Sequence, residues 1–286
     1  MTKKLLDLSG KIDELIPIIG EITQVADSLG IPFFVIGAAA RDLILKHGYG
    51  LGSSRATIDL DLAIQVENWE KYNILSAVLL ETGLFSEDRS PHKFKYKEEL
   101  YIDIIPFGQI QNAEGEITWP PDNETTMSVI GFDDAYENTL IVRVRTDPIL
   151  DIRVVSLPGL VVLKLITWKG RGTGDNRDSK DLLFIIRNYH SVDDEERLFN
   201  ENFNIMEELG HRIKEAGARL LGQDIATLIK PKTKDIIHRI LDEETDENGE
   251  SKLITSVVRG SLSYDEDFDE YKTLLNELKK GIYETP

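Results

Sequence analysis

The fold of this chain of 286 residues is decided by the stretch IPFFVIGAAARD, residues 31–42. Its first six residues are almost all apolar, which predicts a short buried strand. Gly37 and three alanines follow, and this composition predicts a tight turn into a helix that continues through Arg41. The first turn of a helix carries backbone N–H groups without intrahelical partners, so an anion can bind there. The stretch therefore predicts an anion site where a strand passes into a helix.

A second strand follows a loop rich in glycine and serine at residues 48–54. Residues 57–64, TIDLDLAI, alternate polar and apolar side chains, which is the pattern of a half-buried strand. Asp59 and Asp61 are two residues apart, so both side chains should lie on one face, with Cα atoms about 6–7 Å apart. Two adjacent anions favour a divalent cation between them. The alternative is that both aspartates line the polar face of a surface strand.

Asp103 is the single acidic residue of an otherwise mostly apolar stretch, LYIDIIPF at residues 100–107, which predicts a third strand. A carboxylate in such surroundings needs a partner, because burying an unpaired charge is costly. If this strand neighbours the strand of residues 57–64, then Asp59, Asp61 and Asp103 converge on one site. Carboxylate oxygens are the ligands that Mg²⁺ prefers. The three aspartates are therefore candidate metal ligands.

A further group of charged residues lies in the second half of the chain. Lys164 is the one charged residue of a predicted helix over residues 157–168. The segment NRDSKDL, residues 176–182, follows and contributes Arg177, Asp178, Lys180 and Asp181. The two aspartates are three residues apart and share one helix face. A lysine in an apolar helix indicates an anion nearby, whereas ordinary surface ion pairs are the alternative for the whole group.

The order of these features resembles the nucleotidyltransferase fold of the polymerase β superfamily. The features are the strand–glycine–helix turn, the glycine-rich loop, the pattern RxTxDxD at residues 55–61 and the later Asp103. The resemblance implies that the helix start holds a triphosphate and that the three aspartates hold two Mg²⁺ ions, with Mn²⁺ as the alternative ion. It assigns nucleotide binding in this half to Gly37, Ala38, Arg41, Arg55 and Thr57. The alternative for Arg41 is an ion pair with its neighbour Asp42. Alanine at position 38 departs from the family, which usually has a second glycine or a serine there, so this position offers no hydroxyl to phosphate.

A second block resembles AbiEii-type nucleotidyltransferases, the toxins of abortive-infection and related toxin–antitoxin modules. It consists of VSLPGLVVLKLITW at residues 155–168, the NRDSKDL segment and, upstream, GFDDA at residues 131–135. The similarity covers roughly residues 31–190. It implies that the nucleotide cleft is lined, opposite the metal carboxylates, by Lys164, Arg177, Asp178, Lys180 and Asp181. The implied activity is transfer of a nucleoside monophosphate from an NTP, with release of pyrophosphate, and the implied catalytic residues are Lys164 and the three aspartates.

Composition limits the partners that the chain can have. It contains 33 Lys and Arg against 51 Asp and Glu, a formal net charge of −18. This balance excludes a protein that coats DNA, since such binding depends on surplus Lys and Arg. The absence of cysteine excludes disulfides, thiolate nucleophiles and metal sites with Cys ligands. We find no apolar run of membrane-spanning length and no secretion signal, so we expect a cytoplasmic protein without a membrane partner.

Strand and helix patterns divide the chain into two predicted domains. Strands dominate residues 1–155, which we assign to a nucleotidyltransferase catalytic domain, and helical periodicity dominates residues 156–286, which we assign to a helical domain that closes the nucleotide cleft. The predicted fold class is α/β (α+β), with a small mixed sheet flanked by helices and a helical C-terminal half. We also expect a helix over residues 4–29, bent or split at its proline, a helix over 195–220 and a solvated loop at 242–250.

Three functions fit these features. The first is an enzyme that transfers a nucleoside monophosphate to a hydroxyl of tRNA, another RNA or a protein, as the toxin of a toxin–antitoxin or phage-defence module with a cognate antitoxin. The second is a transferase that modifies a small molecule, and the negative net charge favours a cationic one of the aminoglycoside type. The third is a non-catalytic nucleotide-binding protein of the same fold. Ala38 is the only argument for the third function, whereas the intact set of three aspartates favours catalysis.

Overall fold

The computed structural model describes residues 5–52, 59–121, 123–171, 176–192, 197–259 and 263–285. The chain forms two compact units, Met1–Ser156 and Leu157–Pro286. Arg55 and Thr57, two of the predicted nucleotide-binding residues, lie outside the described residues.

The first unit combines strands and helices. Its strands are β1 (Leu5–Asp7), β2 (Phe33–Ile36), β3 (Leu60–Gln65), β4 (Phe85–Glu87), β5 (Lys93–Tyr96), β6 (Leu100–Phe107), β7 (Glu116–Thr118), β8 (Thr126–Ser128), β9 (Leu140–Thr146) and β10 (Ile149–Val154). Its helices are α1 (Ile16–Leu29), α2 (Gly37–Arg41), α3 (Trp69–Glu81) and α4 (Phe132–Glu137). Helix α2 continues directly into a π-helical segment over Asp42–Gly48.

A mixed sheet of eight strands organises this unit, in the order β1-β9-β10-β2-β3-β6-β5-β4, while β7 and β8 pair separately. Strands β3 and β6 run parallel in its centre, and β2 runs antiparallel to β3. Leu62 and Ala63 point to opposite faces of β3, and both are buried, so the sheet is covered on both sides there. Central strands of this kind need apolar sequences, as β3 and β6 have. The sheet is larger than the small sheet expected, because β1 and β4 are too short to give a clear pattern.

The helix expected over residues 4–29 is wrong in its first half. Leu5–Asp7 form β1, which pairs in parallel with β9, and the helix begins only at Ile16. Pro17 lies in the first turn of α1, where the missing backbone N–H removes no hydrogen bond. A proline fits a helix start and not a helix interior, so the helix does not extend upstream.

Strand β3 begins at Leu60, later than the strand expected over residues 57–64. Asp59 lies just before the strand and is exposed, whereas Thr57 and Ile58 lie outside the described residues. The strand geometry therefore positions Asp61 but not Asp59.

Helices make up the described part of the second unit. They are α5 (Leu157–Arg171), α6 (Arg177–Asn188), α7 (Phe203–Glu208), α8 (Ile213–Leu228), α9 (Pro231–Thr245), α10 (Lys252–Val258) and α11 (Tyr264–Glu284). A 3₁₀ turn over Tyr189–Ser191 follows α6, and a π-helical segment over Arg197–Glu201 precedes α7.

Two sequence expectations for this unit need correction. The helix expected over residues 195–220 is divided, because Gly210 and His211 adopt left-handed backbone conformations with φ of 58° and 61°. The acidic segment expected to be a loop over residues 242–250 is helical as far as Thr245, the last residue of α9. The C-terminal helix α11 packs against α8 at Gly281, where an added Cβ would lie 2.1 Å from the carbonyl oxygen of Arg219.

The predicted fold class is confirmed, since a mixed sheet with helices is followed by a helical C-terminal half. Among the helices of the described residues, none is both long enough and apolar enough to cross a membrane.

Candidate functional site

Three charged side chains follow one another across neighbouring strands of the central sheet. Asp61 of β3 lies opposite Asp103 of β6, and Asp103 lies opposite Lys93 of β5. Residues that are directly opposite each other on adjacent strands have their side chains on the same face. Asp61, Asp103 and Lys93 therefore form a single line across the sheet, which we call the charged row.

The turn from β2 into α2 lies directly against the first member of the charged row. Gly37 has φ of 69°, and a Cβ placed on it would lie 1.9 Å from Oδ2 of Asp61. Only glycine combines this conformation with such a close approach. The Asp61 carboxylate therefore packs against the backbone of Gly37, the first residue of α2, and Ala38 is the next residue of the helix. The predicted anion site and the predicted metal ligand are thus adjacent.

Lys93 is the last member of the charged row, and its ammonium pairs with the Asp103 carboxylate. Its Nζ lies 3.0 Å from Oδ1 and 3.2 Å from Oδ2 of Asp103. The side chains are 36% and 26% exposed, so solvent reaches both, although the Oδ1 atom of Asp103 is itself buried. Lys93 was not among the site residues predicted from the sequence. The alternation KFKY at residues 93–96 was the available signal, because it predicts a strand with two lysines on one face.

An aromatic cluster supports the backbone at the start of β5. The rings of Trp69, Tyr72 and His92 surround Trp119, with centroid distances of 4.9, 5.4 and 5.3 Å. The Tyr72 hydroxyl donates a hydrogen bond of 3.0 Å to the carbonyl oxygen of Pro91. Burial raises the pKa of Tyr72, and the negative charge of Asp103 adds to the effect, so the hydroxyl stays protonated and remains a donor. The cluster fixes the backbone next to Lys93.

The donor set of this region suits a hard divalent cation. Asp59, Asp61 and Asp103 offer carboxylate oxygens, which Mg²⁺ prefers, and the Lys93 ammonium already stands where a positive charge is needed. Within the described ranges, however, no three His, Cys, Asp or Glu side chains are gathered as a metal site. The two-ion site stays a prediction.

Arg41, predicted to bind nucleotide, is packed into the first unit. Its side chain is 1% exposed, and Nε and Nη2 lie 2.8 and 2.6 Å from Oδ1 of Asp42. The guanidinium is therefore held against the carboxylate of Asp42, the residue that follows the end of α2. This is the pairing that the sequence left open as the alternative to a phosphate contact.

A second group of predicted site residues comes together inside the second unit. Nζ of Lys164, on α5, lies 2.7 Å from Oδ2 of Asp181 and 3.0 Å from Oδ1 of Asp178, both on α6. Arg171, at the end of α5, reaches Oδ2 of Asp178 at 3.4 Å. The side chains of Lys164 and Asp181 are only 9% and 5% exposed. We call these four residues the Lys164 cluster.

The remaining predicted residues of α6 lie on its outer side. Arg177 and Lys180 are exposed, whereas Asp178 and Asp181 turn toward α5. The segment NRDSKDL therefore contributes its acidic side chains to the Lys164 cluster and its basic side chains to the helix surface.

Comparison of the sequence with protein-family models identifies the family of the chain that carries the charged row and the Lys164 cluster. The family model for the nucleotidyl transferase AbiEii toxin of type IV toxin–antitoxin systems matches residues 28–273. The chain belongs to the AbiEii family. It is a nucleotidyltransferase, so the resemblance seen in the sequence is confirmed. The match also extends well beyond residue 190, into a region where the sequence analysis found no specific signal.

Solved structures with a similar chain path come from several kinds of protein. JHP933 from Helicobacter pylori is 13% identical, with a TM-score of 0.36 over 96% of this chain and 94% of that one. ANT(2'')-Ia, in complex with adenylyl-2''-tobramycin, is 14% identical, with a TM-score of 0.37 over 60% and 87%. The Thermotoga maritima CCA-adding enzyme, complexed with a tRNA, is 14% identical, with a TM-score of 0.31 over 93% and 68%. A comparison with curated proteins finds no match.

Proposed function

We propose that this AbiEii-family enzyme transfers a nucleoside monophosphate from an NTP to an acceptor hydroxyl, releases pyrophosphate, and acts as the toxin of a toxin–antitoxin or phage-defence module. The observation that carries the proposal is the close contact between the Asp61 carboxylate and the backbone of Gly37. This contact joins a place for an anionic triphosphate to a place for the cation that accompanies it.

In this proposal the carboxylates Asp59, Asp61 and Asp103 hold two Mg²⁺ ions, or Mn²⁺. The ions would supply positive charge for the triphosphate and lower the pKa of the acceptor hydroxyl. The Asp103 carboxylate accepts the proton of that hydroxyl as the new phosphodiester forms. The backbone N–H groups at Gly37 and Ala38 orient the triphosphate together with the side chains of Arg55 and Thr57. Arg41 is buried against Asp42, so it contributes positive charge near the helix and not a direct contact.

The second unit has a complementary role in the proposal. Lys164 neutralises the charge that develops on the leaving pyrophosphate. The proposal also assigns nucleotide binding to residues of α6, namely Arg177, Asp178, Lys180 and Asp181. Asp178 and Asp181 hold the Lys164 ammonium in place, as their contacts of 3.0 and 2.7 Å support. The assignment of residues 1–155 to catalysis and of residues 156–286 to closure over the nucleotide belongs to the same proposal.

The acceptor and the partners are the finer part of the proposal. The acceptor hydroxyl belongs to tRNA, another RNA or a protein, and the toxin role implies a cognate antitoxin. A cationic small molecule is the alternative acceptor, favoured by the net charge of −18. The reaction is expected in the cytoplasm, since NTPs and Mg²⁺ are available there.

A transfer assay with matched variants tests the proposal. The full chain is incubated with each α-labelled NTP, Mg²⁺ and separate pools of tRNA, total RNA, proteins and aminoglycosides. Asp61→Asn should lower label transfer at least about a hundredfold, because metal ligation supplies several kcal/mol of transition-state stabilisation. Asp151→Asn is the control, since Asp151 pairs with Arg143 at 2.8 Å on the same sheet and has no role in the proposal.

Measuring the free energy of unfolding shows whether Asp61→Asn loses activity because the site is damaged or because the protein no longer folds. Asp61 lies directly opposite Asp103, and like charges in this position destabilise a sheet. Without metal, Asp61→Asn should therefore be at least as stable as the wild type. Equal transfer by the wild type and Asp61→Asn contradicts the assignment of the site, and the pool that takes up label identifies the acceptor.

A further inference from the structure

We propose that Lys93 serves as the counter-cation of the metal-binding carboxylates Asp61 and Asp103. Its ammonium pairs with the Asp103 carboxylate when no metal is bound and must move away when a divalent cation binds. The inference rests on the proposed function, because it takes Asp61 and Asp103 as metal ligands. It adds a residue that the sequence motifs and the family description leave unassigned.

The charged row explains why a cation is needed at this point. Asp61 and Asp103 are directly opposite each other on parallel strands, and like charges placed this way repel. Lys93 continues the row on the other side of Asp103, with Nζ 3.0 and 3.2 Å from the two carboxylate oxygens. A single ammonium therefore offsets part of the repulsion that a metal ion would offset completely.

A second lysine on the same strand shows that position, and not charge alone, gives Lys93 this role. Lys95 is two residues further along β5, so its side chain lies on the same face. It is opposite Tyr101, and its Nζ lies 5.3 Å from the centre of that ring. Lys95 thus has the same charge, strand and face as Lys93, but its neighbour is an aromatic ring instead of a carboxylate.

The exposure of the pair permits displacement of the ammonium. Lys93 and Asp103 are 36% and 26% exposed, and ion pairs at this exposure are weak because water screens them. The lysine head sits on a flexible four-carbon stem, whereas the aromatic cluster with Tyr72 fixes the backbone at Pro91. The ammonium can therefore move away from Asp103 while the strand stays in place.

Mn²⁺ binding without nucleotide, followed by electron paramagnetic resonance on the full chain, tests this inference. Lys93→Met should bind Mn²⁺ about fivefold more tightly than the wild type, which corresponds to the upper range for an exposed ion pair. Lys95→Met removes the same charge from the same face and should change the affinity less than about twofold. Lys93→Arg keeps a counter-cation and should bind Mn²⁺ like the wild type.

The outcomes separate this inference from the proposed function. Equal Mn²⁺ affinities of Lys93→Met and Lys95→Met, or weaker binding by Lys93→Met, overturn the role of Lys93. Asp61→Asn and Asp103→Asn are measured beside them and should each lose Mn²⁺ binding. If the wild type binds no Mn²⁺, or if Asp61→Asn binds it equally well, the metal site itself is wrong and both proposals fail. If binding depends on Asp61 but not on Lys93, only the counter-cation is rejected.

Discussion

Two lysines of this molecule meet aspartates in very different surroundings. Lys93 and Asp103 pair on a sheet surface with 36% and 26% of their side chains exposed. Lys164 meets Asp178 and Asp181 between two helices, where Lys164 and Asp181 are only 9% and 5% exposed. The ion-pair distances are nearly the same, so burial and the number of aspartates in contact distinguish the two lysines. The exposed pair can open for a ligand, whereas the buried cluster must keep its charges matched.

The energetic difference follows from desolvation. Removing one partner of a buried ion pair leaves an uncompensated charge in a poorly solvated place, which costs about 3–5 kcal/mol. Removing one partner of an exposed pair costs about 0.2–1 kcal/mol, because water takes over the lost contact. The Lys164 cluster should therefore contribute to stability as well as to catalysis, and the charged row mainly to function.

The largest effect is expected for Lys164→Ala. The substitution leaves Asp178 and Asp181 without their shared ammonium, so the free energy of unfolding should fall by about 3 kcal/mol or more. Urea unfolding measures this loss. The transfer rate of the folded variant should fall by about 10²–10³, the loss typical of one preorganised charge-stabilising group.

Lys169→Ala is the matched control on the same helix. Lys169 pairs with Glu243, but both side chains are about half exposed, at 45% and 58%. Its substitution should cost less than about 1 kcal/mol and leave transfer unchanged. Equal stability losses for Lys164→Ala and Lys169→Ala would show that burial does not distinguish the two pairs, and wild-type transfer by Lys164→Ala would remove Lys164 from the active site.

Gly37→Ala tests the other region through its backbone and should have the next largest effect. The methyl group would lie 1.9 Å from Oδ2 and 2.9 Å from Cβ of Asp61, so the whole side chain must move. A displacement of about 1 Å at a reacting group can cost about a hundredfold in rate. The left-handed conformation adds about 1–2 kcal/mol of strain, and the overpacking about 1–3 kcal/mol. Transfer assays and urea unfolding measure the two effects.

Gly10→Ala is the control that separates backbone strain from displacement of the Asp61 side chain. Gly10 has φ of 75°, similar to Gly37, but a Cβ there meets no atom within 4 Å. It should lose stability through backbone strain while its transfer rate stays at the wild-type level. If both alanine variants transfer equally well, the contact between Gly37 and Asp61 has no role in the reaction.

The sequence predicts well those elements whose apolar content by itself requires burial. The strand around Asp103 is predicted over residues 100–107, and β6 has these bounds. The helix around Lys164 is predicted over residues 157–168, and α5 runs from Leu157 to Arg171. In both cases a single charged residue in an apolar run also predicts that a partner must be present, although not which one.

The sequence predicts that Asp61 and Asp103 converge if their strands are neighbours, and β3 and β6 are neighbours. The exact register and the place of Lys93 in the charged row could not be predicted. Asp61 and Asp103 are distant in the sequence, and their pairing is a property of the assembled sheet. Lys93 belongs to a strand of only four residues, whose alternation is too short to fix its neighbour. The helix expected at residues 4–29 failed for a related reason, because β1 exists only through its pairing with β9.

Glu244 is a buried acid whose partner is a backbone N–H group, whereas the buried acids of the Lys164 cluster pair with an ammonium. It is 4% exposed, and its Oε2 accepts a hydrogen bond of 2.8 Å from the backbone N–H of Leu253, in the first turn of α10. Burial raises the pKa of Glu244 above its ordinary value of 4.5, while this hydrogen bond acts in the opposite direction. Because the backbone donor offsets part of the desolvation, the effect of Glu244 should be smaller than that of the Lys164 cluster.

We therefore expect Glu244→Gln to be slightly more stable than the wild type at neutral pH, with a difference that disappears in acid. The folded protein holds the Glu244 proton to a higher pH than the unfolded chain does, so the wild type loses stability as the pH rises from about 4.5 through the folded pKa. Glutamine does not titrate, yet its side-chain oxygen still accepts the hydrogen bond from Leu253. Urea unfolding of both proteins across this pH range measures the difference. If the difference in the free energy of unfolding between the two proteins is constant with pH, Glu244 behaves like an exposed acid. Burial would then not explain why the charged groups of the second unit differ from the exposed Lys93–Asp103 pair.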